Sequence, residues 1–137
     1  MKLYVNYRET RTGGDICEGQ EGDSWPDHEP TYIEYWVTNV TTKNVTPYHE
    51  EVEIECERTP LCVFVVIARY QTGDTFGYST GNGCIAAVTL ELDDAQKIVD
   101  KINKGTYRSR HGYNPWEGYF EKLESVDYEL HQVLCPE

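Results

Sequence analysis

A chain of 137 residues holds one hydrophobic core and is too short for two comfortable ones, so residues 1–137 read as a single domain. Its 24 acids against 12 bases leave a formal net charge of −12, which argues against direct nucleic-acid binding, because phosphates are held by positive charge. An apolar content of 39%, with eleven tyrosines and three tryptophans, favours a packed fold over a disordered acidic chain.

Lys2 to Arg8 alternates, with Leu3, Val5 and Tyr7 on one side, and predicts a short strand. Residues 11–30 set Gly13, Gly14, Gly19, Gly22, Pro26 and Pro30 among six acids without periodicity, the pattern of an acidic Gly/Pro-rich loop. Tyr32 to Val45 resumes a β-branched and aromatic pattern. Val52 to Cys56 alternates strictly, so one face is wet, and Thr59-Pro60 ends that strand. Cys62 to Ala68 is continuously apolar, which fits a central strand covered on both faces.

Cys84 to Leu92 reads as a further strand that leads directly into a helix. Asp93 is placed to cap this helix, with Gln96 three residues on as in a capping-box variant. Ala95, Ile98, Val99 and Ile102 form its apolar stripe. Asp93 and Asp94 suit the positive end of the dipole, Lys101 and Lys104 suit the negative end, and Gly105 is placed to close it. Gly118 to Leu123 and Val126 to Leu134 read as two closing strands. The expected fold is α+β: an antiparallel sheet of about six strands with one helix packed on a face. The other face is left open or pairs with a second copy, as a homodimer would.

Cysteines stand at 17, 56, 62, 84 and 135, with no Cys-x-x-Cys pair, so neither a metal site nor a cofactor is expected. Cys56, Cys62 and Cys84 lie in strand-like runs and read as small apolar residues in a reducing compartment. The N-terminus shows no secretory h-region and no apolar run reaches the length of a membrane span. The expectation is therefore a cytoplasmic protein without a membrane partner. On that view the triplets Asn39-Val40-Thr41 and Asn44-Val45-Thr46 are accidents of a Thr-rich strand rather than glycosylation sites.

The charge is uneven. Residues 1–60 carry thirteen acids and five bases, residues 61–112 five acids and six bases, and residues 113–137 six acids and one base. Three segments are candidate sites. The first is the stretch Gly73 to Gly83, between two strand-like runs. No Lys-Ser/Thr follows its glycines and Asp74 repels an anion, so it is not a P-loop. It reads structurally as a long hairpin connection, and functionally as a contact through Asp74, Thr75, Phe76 and Tyr78.

The second is a basic island of Lys104, Arg108, Arg110 and His111, interleaved with Tyr107 and Tyr113. Arginine forks match phosphate and tyrosine stacks on a base, so this island can hold a small nucleotide. The bland reading is a solvated loop that balances nearby carboxylates. The third is the acidic loop with Asp15, Glu18, Glu21, Asp23, Asp27 and Glu29 around Trp25. Spaced carboxylates about an aromatic anchor suit a basic partner protein, and a hydrated loop is the plain alternative. The histidines at 28, 49, 111 and 131 form no local pairing with a nucleophile or base, so no catalytic residue is assigned.

Tyr70-x-x-Gly73-Asp74-Thr75-Phe76-Gly77, a following Asp-capped helix, and Trp116-Glu117-Gly118-Tyr119-Phe120 before a last strand resemble small uncharacterised phage proteins. The resemblance covers residues 62–134 and implies a phage-encoded accessory protein in the cytoplasm of an infected bacterial cell. It adds no biochemical activity. By association it implies counter-defence: a non-enzymatic protein that binds and inhibits a host or immune-defence component through its acidic surface. Glu50, Glu51, Glu53 and Glu55 would extend that surface. The competing expectation is a sponge for a nucleotide immune signal, built from Tyr107, Arg108, Arg110 and the Gly-rich loop.

Overall fold

The computed structural model describes residues 1–12, 16–17, 27–28, 31–73, 79–109, 112–119 and 121–136. In chain order its elements are β1 (Lys2–Thr12), β2 (Ile16–Cys17), β3 (Asp27–His28), β4 (Thr31–Thr41), β5 (His49–Glu53), β6 (Cys62–Gly73), β7 (Ser79–Thr89), α1 (Leu92–Lys104), a 3-10 turn (Pro115–Glu117) and β8 (Glu121–Leu134). Six strands form one sheet in the order β5-β1-β4-β7-β6-β8, and a further pairing of β4 with β8 curls it towards a barrel. β2 and β3 pair with each other as a separate short ribbon.

The sheet is mixed, against the expectation of a purely antiparallel one. β7 and β8 both run antiparallel to β6 and so share a direction. β4, antiparallel to β1, runs in that direction too. β4 therefore meets β7 in parallel at Thr31–Tyr32 and β8 in parallel at Val40–Thr41.

β6 is covered on both faces, as its unbroken apolar run predicts. Val63, Val65 and Ile67 point into the curl of the sheet with Leu3, Val5, Val37 and Val40. Val66 and Ala68 point the other way, onto Ala95, Val99 and Ile102 of α1 and onto Trp116. All five of these β6 side chains are 0% exposed, so alternate residues of one strand supply two cores.

The helix carries the expected stripe, with Ile98 at its half-buried margin. It begins two residues earlier than a cap at Asp93 would set it. Glu91 is the N-cap through its extended backbone and makes no side-chain cap, while Asp93 and Asp94 lie in the first turn. Gly105 closes the helix at φ 75°, its N–H donating to Ile102 O at 3.1 Å, with Thr106 N–H donating to Lys101 O at 2.9 Å.

Other boundaries move. β1 extends to Thr12, β4 stops at Thr41, and the strand expected at 52–56 is β5, ending at Glu53. The two expected closing strands are one, because the step from Ser125 opposite Arg69 to Leu123 opposite Tyr70 leaves Glu124 as a bulge residue. Gly73, Gly81 and Gly83 lie within β6 and β7 rather than in a long connection, and the ladder runs out to Gly73 opposite Ser79. Cys56, just after β5, and Cys84 are half-buried and pack against the two cores as small apolar residues, whereas Cys62 is exposed.

Candidate functional site

The feature that positions a site is a pair of strand edges. β7 is joined to β4 only at Thr80 and Gly81. From Asn82 to Thr89 its outer edge has no strand partner among the described residues. β5 pairs with β1 alone, so its outer edge is open in the same sense. The two face each other across a recess of about 160 Å³, with Val52 and Glu53 on one side and Ala86, Ala87 and Val88 on the other.

The recess continues at both ends. Towards α1 it adjoins a cavity of about 510 Å³ whose charged lining is Glu53, Glu55, Glu91 and Asp94 with Lys97 and Lys101. Towards the loop after the helix it adjoins one of about 280 Å³, lined by Glu50, Ala86, Ser109, Tyr113 and Trp116 among others. Together these make a trough with an apolar floor and an acidic rim. Glu53 is held by the terminal ammonium of Met1 at 2.8 Å.

Glu50 shares a face of β5 with Val52, by alternation, and sits opposite Val5. Its charge is felt inside the fold. Burial, followed by Glu50, pushes the Cys84 thiol up to about 12. Tyr35 is raised by burial and then by Glu50, and Tyr7 by burial and then by Glu9 and Glu50. These groups are held protonated and are unsuited to act as nucleophile or base near neutral pH.

Of the residues nominated for a nucleotide, Lys104, Tyr107 and Arg108 are described, and these three line no common cavity. Lys104 is exposed at the end of α1. Tyr107 is a brace: its hydroxyl donates to Ala86 O at 2.9 Å, and its ring stacks on Trp116 with centroids 6.3 Å apart. Arg108 lies on a further cavity of about 560 Å³, which shares Tyr113 with the end of the trough and is lined by Tyr70 and Asn114 but also Glu117 and Glu121. Two carboxylates beside one guanidinium make poor surroundings for a phosphate. Asn114, 6% exposed, donates through Nδ2 to Tyr107 O at 2.8 Å, and its Oδ1 accepts no hydrogen bond among the described residues.

Several nominated residues lie outside the described residues: Asp15, Glu18, Glu21, Asp23, Trp25 and Glu29 of the acidic loop, Asp74, Thr75, Phe76 and Tyr78 of the Gly-rich stretch, and Arg110 and His111. Asp27 is placed through its backbone, in β3 opposite Cys17. Sequence reasoning placed Glu91 in the strand expected at 84–92 and Asp94 at the helix start, and missed both as trough residues. The signal for them is the pairing pattern, which local spacing does not carry.

No helix among the described residues is long and apolar enough to cross a membrane. No protein-family model, no curated protein and no solved structure matches the chain, so a functional reading rests on the chemistry of this surface.

Proposed function

We propose that this is a non-enzymatic binding protein that engages a basic surface of a partner protein through its acidic face. The observation that carries the reading is the trough: five carboxylates, Glu50, Glu53, Glu55, Glu91 and Asp94, rim a concave surface against three cations, Lys97, Lys101 and the Met1 ammonium on Glu53. Such a rim steers a cationic partner at a distance and selects against anionic ones. The resemblance to phage proteins makes a host or immune-defence component the partner class, with inhibition by occupancy as the outcome.

The test is charge reversal at exposed positions. A Glu55→Lys, Glu91→Lys, Asp94→Lys variant keeps the core intact, because all three side chains are exposed. Affinity capture from an infected bacterial lysate is expected to recover a basic protein at low ionic strength, lose it as salt rises, and fail with the variant. Recovery that ignores both salt and charge reversal rejects the reading.

A nucleotide signal is the competing ligand, favoured by one observation: Arg108, Tyr70 and Tyr113 line the same 560 Å³ cavity. A thermal-shift panel of cyclic and ADP-ribose nucleotides decides it, since ligand at a hundred times its dissociation constant stabilises by about 2.7 kcal/mol. Flat melting curves remove this alternative.

A further inference from the structure

Sheet edges in native proteins are guarded, because a row of unpaired N–H and C=O groups templates pairing with another chain. Charged side chains and prolines are the usual guards. The open stretch of β7 beyond Gly83, which Tyr35 of β4 covers, is Cys84-Ile85-Ala86-Ala87-Val88-Thr89, and it contains neither. Its sequence devices are a bulge at Ala86, where the ladder steps from Val66–Ala87 to Ile67–Ile85, and the Tyr107 hydroxyl on Ala86 O. That bond fixes the outward direction of the Ala86 carbonyl. Strand alternation turns the N–H and C=O of Val88 to the same side, and Val88 lines both the central recess and the cavity beside α1.

What guards this edge stands across from it and beyond it: Glu50 and Glu53 on β5, Glu55 after β5, and Glu91 after β7. A second copy of a chain with net charge −12 is repelled by such a rim, whereas a basic chain is drawn in. We infer that the partner is taken up as an extended basic segment, which adds as a strand along the open edge of β7 and sets its cationic side chains against the carboxylates of β5 and α1. Main-chain hydrogen bonds to the edge hold the segment, and alternate side chains divide between the apolar floor and the acidic rim. This inference rests on the acidic-partner reading and specifies its geometry.

The experiment uses the full chain and a fluorescein-labelled alternating Lys-Val peptide long enough to span Cys84 to Thr89. A second peptide carries the same side chains with every other backbone nitrogen methylated, which keeps the charge and removes strand pairing. Affinity is read by anisotropy at low ionic strength, and amide exchange reports on Val88. Strand addition predicts binding of the first peptide, slowed exchange at β7, and a loss of about tenfold or more on methylation. Equal affinity of the two peptides overturns strand addition while leaving the charge-based reading intact. Binding of neither overturns both. Tyr107→Phe, which releases the Ala86 carbonyl, is expected to tighten the first peptide and leave the methylated one unchanged.

Discussion

Gly83 stands where β7 passes beneath β4, and its substitution tests how this curled sheet is closed. A Cβ built at Gly83 lies 2.7 Å from Tyr35 Cβ, 3.0 Å from its Cγ and 3.3 Å from its Cδ1. Carbon atoms in good contact sit about 3.5–4.0 Å apart, so β4 and β7 must separate by roughly 0.8 Å to admit a methyl group. Rotating the Tyr35 side chain does not help, because the closest atom is its Cβ, fixed to the backbone. Tyr35 is also pinned: it is 6% exposed, stacked on Tyr7 with centroids 4.9 Å apart, and its carbonyl accepts from Arg69. Overpacking of this kind costs about 1–3 kcal/mol, offset by roughly 0.5–1 kcal/mol from replacing glycine in a strand. Gly83→Ala is therefore expected to lose about 1–2 kcal/mol, and Tm to fall by about 3–7 °C for a domain of this size. Thermal melting followed by far-UV circular dichroism measures it. Tyr35→Ala retains the offending Cβ and should not rescue the variant. A Gly83→Ala protein that melts at or above the wild-type temperature refutes the close approach of β4 to β7.

The buried thiol and phenols make stability fall at alkaline pH. With Cys84 raised from 9.0 to about 12, the unfolded chain loses its proton first. Stability then drops as pH rises from about 9 towards 12, by up to ~1.4 kcal/mol per pH unit from this group. Tyr7, Tyr35 and Tyr70 are shifted in the same direction and add to the slope. Urea melts across this range should show Cys84→Ala with a shallower decline, and an unchanged slope contradicts the assignment. In the folded protein the exposed Cys62 and Cys135 should react with a thiol reagent well before Cys84. Arg69 contacts Asp127 at 3.3 Å and Tyr35 O at 3.4 Å, and Asp127 is 60% exposed. Asp127→Asn should change stability by no more than about 0.5 kcal/mol, whereas Arg69→Met, which also strips the Tyr35 carbonyl of its donor, should cost about 1 kcal/mol. Equal costs in denaturant titration would refute the Tyr35 contact.

The parts of this protein that were legible are those governed by short-range periodicity. The helix stripe, the Gly105 terminus and the two-faced β6 follow from side-chain spacing, since a period of 3.6 or an unbroken apolar run leaves few ways to bury its residues. Strand limits were less legible because pairing, not propensity, ends a strand: Gly81 and Gly83 belong to β7 through their partners on β6. Glu124 divides the last strand in the sequence pattern, yet a bulge carries the ladder through it. The trough was least legible of all. Its carboxylates come from β5, from the residues after β5 and β7, and from the first turn of α1, separated in sequence by some forty residues.

The amino-acid sequence by itself determined a one-helix, sheet-rich, strongly acidic domain, because composition and periodicity act locally. Tertiary structure alone decided that β4 leaves β7 after two residues to pair with β8 at its other end. That choice is non-local: it depends on strand direction and curl, which no local pattern encodes. It opens the β7 edge, and it sets the acidic rim across from that edge.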